Sequence, residues 1–162
     1  RFYIGFDTET DIPFSATVTE AYVHLYLSGI ANGGASETLD VYLSGSHTWD
    51  EDTINWSNQP EGTGGILDSW TFGSGTPTGQ WVAFEVTDGF SRNSDLSFFF
   101  RSDDEASPAS LAYFLAEEMT GTNYDPYIEV QYSDDGYIPE PGTLALVGLG
   151  LAGLVARLRR SV

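Results

Sequence analysis

Apolar and polar residues alternate one by one along much of residues 1–133. Between Ala16 and Ser28, Ala21, Val23, Leu25 and Leu27 share one parity, and Tyr22, His24 and Tyr26 share the other. Successive side chains of a strand leave on opposite faces, so a period of two predicts a strand with one apolar side. The same alternation returns in Leu39, Val41 and Leu43, in Val82, Phe84 and Val86, in Leu96, Phe98 and Phe100, and in Ile128, Val130 and Tyr132. The opening run from Phe2 to Phe6 is also strand-like. Ala31 to Ser36, Glu61 to Gly65 and Gly73 to Gly79 are rich in Gly and small polar residues, and they predict turns. No helical period is sustained in this body, and no internal repeat is present. Many short strands between such turns predict an all-β, antiparallel sandwich or barrel.

The pattern changes abruptly near the C-terminus. Residues 134–142 form a linker, and Thr143 to Ala156 is an uncharged apolar run, followed by Arg157, Arg159 and Arg160 within the basic tail 157–162. Fourteen residues of helix span ~21 Å, short of a hydrocarbon core of ~30 Å, so by length alone the run is a marginal anchor. Being apolar all round and ending in a basic cluster, it predicts a short transmembrane helix. The three Arg act as a membrane stop and stay in the cytoplasm, leaving the body on the other side.

Charge sharpens this division. The chain holds 24 acidic residues against six basic ones, all Arg, for a net charge of -18. Residues 1–137 alone carry a net charge of -20, and the remainder +2. Nucleic-acid affinity comes mainly from Lys and Arg neutralising phosphates, so so acidic a body excludes nucleic-acid binding. Cysteine is absent, which excludes disulfides, thiolate nucleophiles and Cys-ligated metals. The chain opens at Arg1 rather than Met and passes straight into a strand, which reads as an N-terminus clipped by processing or by an incomplete gene.

Pro139, Glu140 and Pro141, the apolar run and the terminal Arg cluster stand in a fixed order, and in this the tail resembles the PEP-CTERM sorting domain of Gram-negative bacteria. The resemblance implies recognition by exosortase, a membrane transpeptidase, and processing at the triplet. It also implies a transient inner-membrane anchor and delivery to the cell surface or exopolysaccharide matrix. Physically, Pro141 disfavours helix at Glu140, so the triplet is extended and accessible outside the membrane.

The body carries a second resemblance. The run from Ser46 to Pro60, SHTWDEDTINWSNQP, is similar to a stretch of DNRLRE domains, which overlap the carbohydrate-binding modules of family 96. FYIGFD, AYVHLYLSG, WVAFEVTD and DPYIEVQY keep the family order across residues 1–133. The resemblance implies a jelly-roll-like β-sandwich from a secreted protein, truncated at its N-terminus because family members carry strands before Phe2. Alginate, the family's best-supported ligand, is not carried over, because a grip on a polyanion needs Lys and Arg and this body offers only Arg1, Arg92 and Arg101.

Candidate chemistry is confined to aromatics and carboxylates. Tyr22 and Tyr26, opposite in parity to the apolar face of their strand, are candidates for stacking on sugar rings. Trp49 and Trp56 are candidates too, with packing of their loop on the sandwich as the alternative. Trp70 and Trp81 read as core-packing residues. Asp103, Asp104 and Glu105, then Asp50 and Asp52, are candidate calcium ligands, since calcium takes six to eight oxygens; solvated acidic loops are the alternative. Glu117 with Glu118 and Asp134 with Asp135 are further acidic pairs. No spacing singles out a catalytic carboxylate pair, a zinc site or a nucleophile elbow.

These features predict an exported, noncatalytic module that binds extracellular polysaccharide. The competing expectations are a purely structural matrix or surface protein and an accessory domain of a polysaccharide-degrading enzyme. The sorting expectation is tested by Pro139→Ala combined with Glu140→Ala in the native host: the uncleaved precursor should accumulate in the membrane fraction on immunoblots, and unchanged processing and release would contradict it.

Overall fold

Alternation becomes two layers. A computed structural model describes residues 1–7, 12–13, 15–31, 35–92, 94–105, 110–116 and 123–133. Its strands are β1 (Phe2–Phe6), β2 (Thr17–Ala31), β3 (Glu37–Ser44), β4 (Gly62–Phe72), β5 (Gln80–Glu85), β6 (Leu96–Ser102), β7 (Leu111–Phe114) and β8 (Tyr127–Ser133). A single 3₁₀ turn at Thr87–Gly89 is the only helical element among the described residues. Sheet I has the order β1-β6-β3-β4, and sheet II has β5-β2-β7 with β8 also on β2. All pairings are antiparallel. Only β3–β4 and β7–β8 follow one another within a sheet; elsewhere the chain crosses between layers, giving the jelly-roll-like sandwich that the alternation and the resemblance predict.

The 15 residues of β2 make it the spine of sheet II. One edge of β2 pairs with β5 from Tyr22 to Leu27. The other carries β8 over Thr17 to His24 and then β7 over Leu27 to Ala31, end to end. Ala21, Val23, Leu25 and Leu27 are fully buried, as their shared parity requires. They meet Val82 and Phe84 from β5, and Val41, Phe98 and Phe100 from sheet I, in one core. Phe84 sets its ring edge against Phe100 across the layers, with centroids 5.2 Å apart at 79°, a favoured aromatic geometry. Phe2 stacks on Phe100 at 4.6 Å, and half-buried Trp70 packs against Phe72 and Phe84, in accord with its core assignment.

Two segments differ from the sequence expectation. Glu61 to Gly65 reads as a turn, yet Gly62 to Gly65 begin β4, with Gly62 opposite Ser44 and Thr63 opposite Leu43. The glycine is needed for close approach: a Cβ on Gly62 would stand 2.9 Å from Phe99 Cδ1 and 3.0 Å from Tyr42 Cβ. Strand β7, too short to display a period, has no counterpart in the sequence pattern. No described helix is long and apolar enough to cross a membrane. The predicted spanning segment 143–156, the Pro139–Glu140–Pro141 triplet and Arg157, Arg159 and Arg160 lie outside the described residues, as do Glu117, Glu118, Asp134 and Asp135.

The inter-sheet ring contact yields a stability test. Phe84→Ala should lower unfolding free energy by about 3–5 kcal/mol, the usual result of emptying a buried aromatic site, measured by urea denaturation.

Candidate functional site: an aromatic outer face

The parity that sends Val23 and Leu25 inward sends Tyr22, His24 and Tyr26 outward on sheet II. Their cross-strand partners form three transverse rows. Tyr22 lies between Glu85 and Glu129, His24 between Ala83 and Tyr127, and Tyr26 opposite Trp81. Tyr124, just before β8, completes the third row by stacking on Tyr26 at 3.9 Å. Trp81 meets Tyr26 and Tyr127 edge-on, at 5.4 Å and 5.1 Å. His24 stacks on Tyr127 with ring centroids 4.4 Å apart and planes 4° apart, and its Nε2 lies 3.1 Å from Glu129 Oε2. The rings thus brace one another in fixed orientations. Trp81, Tyr124 and Tyr127 nevertheless remain 37%, 39% and 42% exposed.

The electrostatics of this face are negative. Tyr22 donates to Glu20 Oε2 at 3.3 Å. Partial burial pushes the Tyr22 phenol up, and the carboxylates of Glu20, Glu85 and Glu129 push it further. The Tyr26 phenol is also raised, by burial first and then by its hydrogen bond with Tyr124. Among the described residues, no Arg lies on this face to balance these groups. Arg1 and Arg101 sit on the outer side of sheet I, and Arg92 donates to the carbonyls of Pro13 and Ala16.

The outer side of sheet I is occupied differently. The segment from Ser46 to Pro60 lies over it, anchored by Trp49 Nε1 donating to Ser97 Oγ at 2.6 Å and by Tyr3 donating from its hydroxyl to the Pro60 carbonyl at 2.8 Å. Trp49 packs 5.7 Å from Tyr3, which itself stacks on Phe99. Trp56 is 72% exposed, but the Arg1 guanidinium lies 4.2 Å above its ring. Within this loop Asp50 Oδ1 accepts from the backbone N–H groups of Asp52 and Thr53, and the Asn58 side chain accepts from Asn55 N–H while donating to the Thr53 carbonyl. Its hydrogen bonds are those of a self-supporting lid on the sheet.

Of the aromatic candidates, the structure places Tyr22 and Tyr26 on one face of sheet II, four residues apart along β2, and sets Trp49 and Trp56 apart from them on the other sheet. Trp81 corrects its core assignment, because it is opposite in parity to Val82 and Phe84 and therefore faces outward. Tyr127, opposite in parity to Ile128 and Val130, could have been found by the same rule; Tyr124 could not, since it precedes its strand. The candidate calcium ligands are dispersed in their contacts. Asp103 Oδ1 accepts from Thr38 N–H, the Asp104 N–H donates to the buried Glu37 carboxylate, and Glu105 is paired with Arg1. Among the described residues, no group of three or more His, Asp and Glu side chains converges on a point that could hold a metal. Asp50 and Asp52 line a cavity of about 1020 Å³ that β1 and β7 also line, together with core-facing Phe2, Phe6, Leu25 and Phe114.

Fold and face together define a β-sandwich module that presents a braced aromatic surface. The comparison with protein families agrees. Residues 1–132 match the model of carbohydrate-binding module family 96, and the chain belongs to that family. Residues 138–160 match the PEP-CTERM protein-sorting motif. A comparison with curated proteins finds no match.

The Arg1–Glu105 pair sets a pH dependence. Its hydrogen bond to Arg1 holds the Glu105 carboxyl below the usual carboxylate range, against the opposing effect of partial burial. A depressed folded value means that the pair stabilises the fold fully above the ordinary glutamate value, and that this is lost as pH falls through the lowered one. Glu105→Gln should therefore reduce stability by about 1 kcal/mol or less at neutral pH, solvent screening setting that limit, with the difference vanishing in acid. Urea melts of both proteins at the two pH values check it.

Proposed function

We propose that this protein is an exported, noncatalytic glycan-binding module that takes a polysaccharide chain on the outer face of sheet II. The observation that carries the reading is the braced row of Trp81, half-buried Tyr26 and Tyr124, with Trp81 and Tyr124 open to solvent, on a chain of carbohydrate-binding module family 96. The flat apolar face of a pyranose matches an aromatic ring, and rings already fixed by their neighbours lose little freedom when a sugar docks. The PEP-CTERM motif supports the rest. Exosortase processes the chain at Pro139–Glu140–Pro141 after segment 143–156 has held it briefly in the inner membrane of a Gram-negative cell. The module then works at the cell surface or in the exopolysaccharide matrix.

The site is tested by affinity electrophoresis and calorimetry of the full chain against a polysaccharide panel. Tyr26→Ala and Trp81→Ala should each weaken binding of the polysaccharide found by about tenfold, the loss expected when ~1.4 kcal/mol of stacking is removed. Trp49→Phe should leave affinity unchanged. A full set of wild-type affinities in the two sheet II variants would overturn the assignment of the site.

A further inference from the structure

The face that carries the aromatic row also states which glycans it accepts. Along β2, the row of Glu85, Tyr22 and Glu129 lies four residues from the row of Trp81 and Tyr26, or about 14 Å at strand rise. That distance suits a stretch of polysaccharide chain rather than a single sugar. A chain stacked on the aromatic row and running along β2 would bring its next residues over the carboxylates of Glu85 and Glu129. Ionised carboxylates only accept hydrogen bonds, and sugar hydroxyls donate them. A uronate unit placed there would instead set its own negative charge against two others, with no Arg on this face among the described residues and only the His24 imidazole, 3.1 Å from Glu129 Oε2, between the rows.

Resting on the glycan-binding reading above, we propose that this face selects neutral polysaccharides and rejects polyuronates. The rejection comes from the carboxylate row four residues along β2 from the aromatic row, and the attraction comes from stacking and from hydroxyl donation to those carboxylates. The three Arg of the body cannot reverse the preference: Arg1 and Arg101 are engaged on sheet I with Glu105 and Tyr42, and Arg92 binds backbone carbonyls. The Tyr22 phenol is raised first by burial and then by the Glu20, Glu85 and Glu129 carboxylates of this face.

The test titrates the full chain with neutral polysaccharides (a β-glucan, a mannan, a galactan and a xylan) and with the polyuronates alginate and pectate, at low and high salt. At low salt the best neutral chain should bind at least about tenfold more tightly than either polyuronate, and the gap should narrow as salt screens like charges. Glu85→Gln with Glu129→Gln keeps hydrogen-bonding shape but removes both charges, and it should narrow the gap at low salt. Its melting temperature and near-ultraviolet circular dichroism verify folding; if it does not fold, the salt series on the unaltered protein decides alone. Alginate or pectate binding as tight as neutral binding at low salt would overturn the selectivity while leaving glycan binding intact. Saturable binding to none of the six, by a folded protein, would overturn glycan binding itself and the selectivity with it.

Discussion

Consecutive side chains of β2 must leave on opposite sides of sheet II, and nearly every other feature of the molecule is tied to that constraint. Ala21, Val23, Leu25 and Leu27 fill the core with no exposure, which fixes Tyr22, His24 and Tyr26 outside. Slipping the register by one residue would bury a phenol and an imidazole and expose the aliphatic set, so core and outer face specify each other. Because β2 also pairs with β5, β7 and β8, its parity passes to each of them through the ladder. Trp81 and Tyr127 face outward for the same reason that Phe84 and Ile128 face inward.

The two outer faces then meet different fates. Sheet I is covered by the long connection from β3 to β4, which brings Trp49 onto Ser97 and Pro60 onto Tyr3. That connection contains the sequence run that carries the family resemblance, and its polar residues bond chiefly to one another. Its role in this structure is architectural: it hides the aromatic surface of Tyr3 and Phe99 from water. Sheet II has no comparable cover over Trp81, Tyr124 and Tyr127 among the described residues. An aromatic surface left open on one side, on a protein that screens the equivalent surface on the other, is where a ligand has something to gain.

The acidic balance follows a similar division. A body with a net charge of -20 could have concentrated its few Arg at a binding face, but Arg1, Arg92 and Arg101 are engaged in holding the sandwich and its turns. Carboxylates consequently dominate the field around sheet II. Ring stacking is indifferent to that field, whereas an anionic ligand is not, so in the proposed binding mode attraction and exclusion arise from separate parts of one surface.

Period-two alternation by itself determined the strands β1, β2, β3, β5, β6 and β8, the sandwich class and the identity of the core, because burial on one face of a strand leaves a direct imprint on residue order. The same imprint marked Tyr22 and Tyr26 as outward, and the ordered triplet, apolar run and Arg cluster marked the sorting tail. Tertiary structure alone decided the rest. Gly62 looks like a turn residue until Phe99 and Tyr42 are seen to leave it no room for a Cβ. Tyr124 joins Tyr26 only through the path of the chain into β8, and Trp49 and Trp56 part from the other aromatics because their loop crosses to sheet I. Sequence periodicity records which side of its own strand a residue occupies; which strands lie side by side, and which loop folds over which face, depends on contacts between residues far apart in the chain.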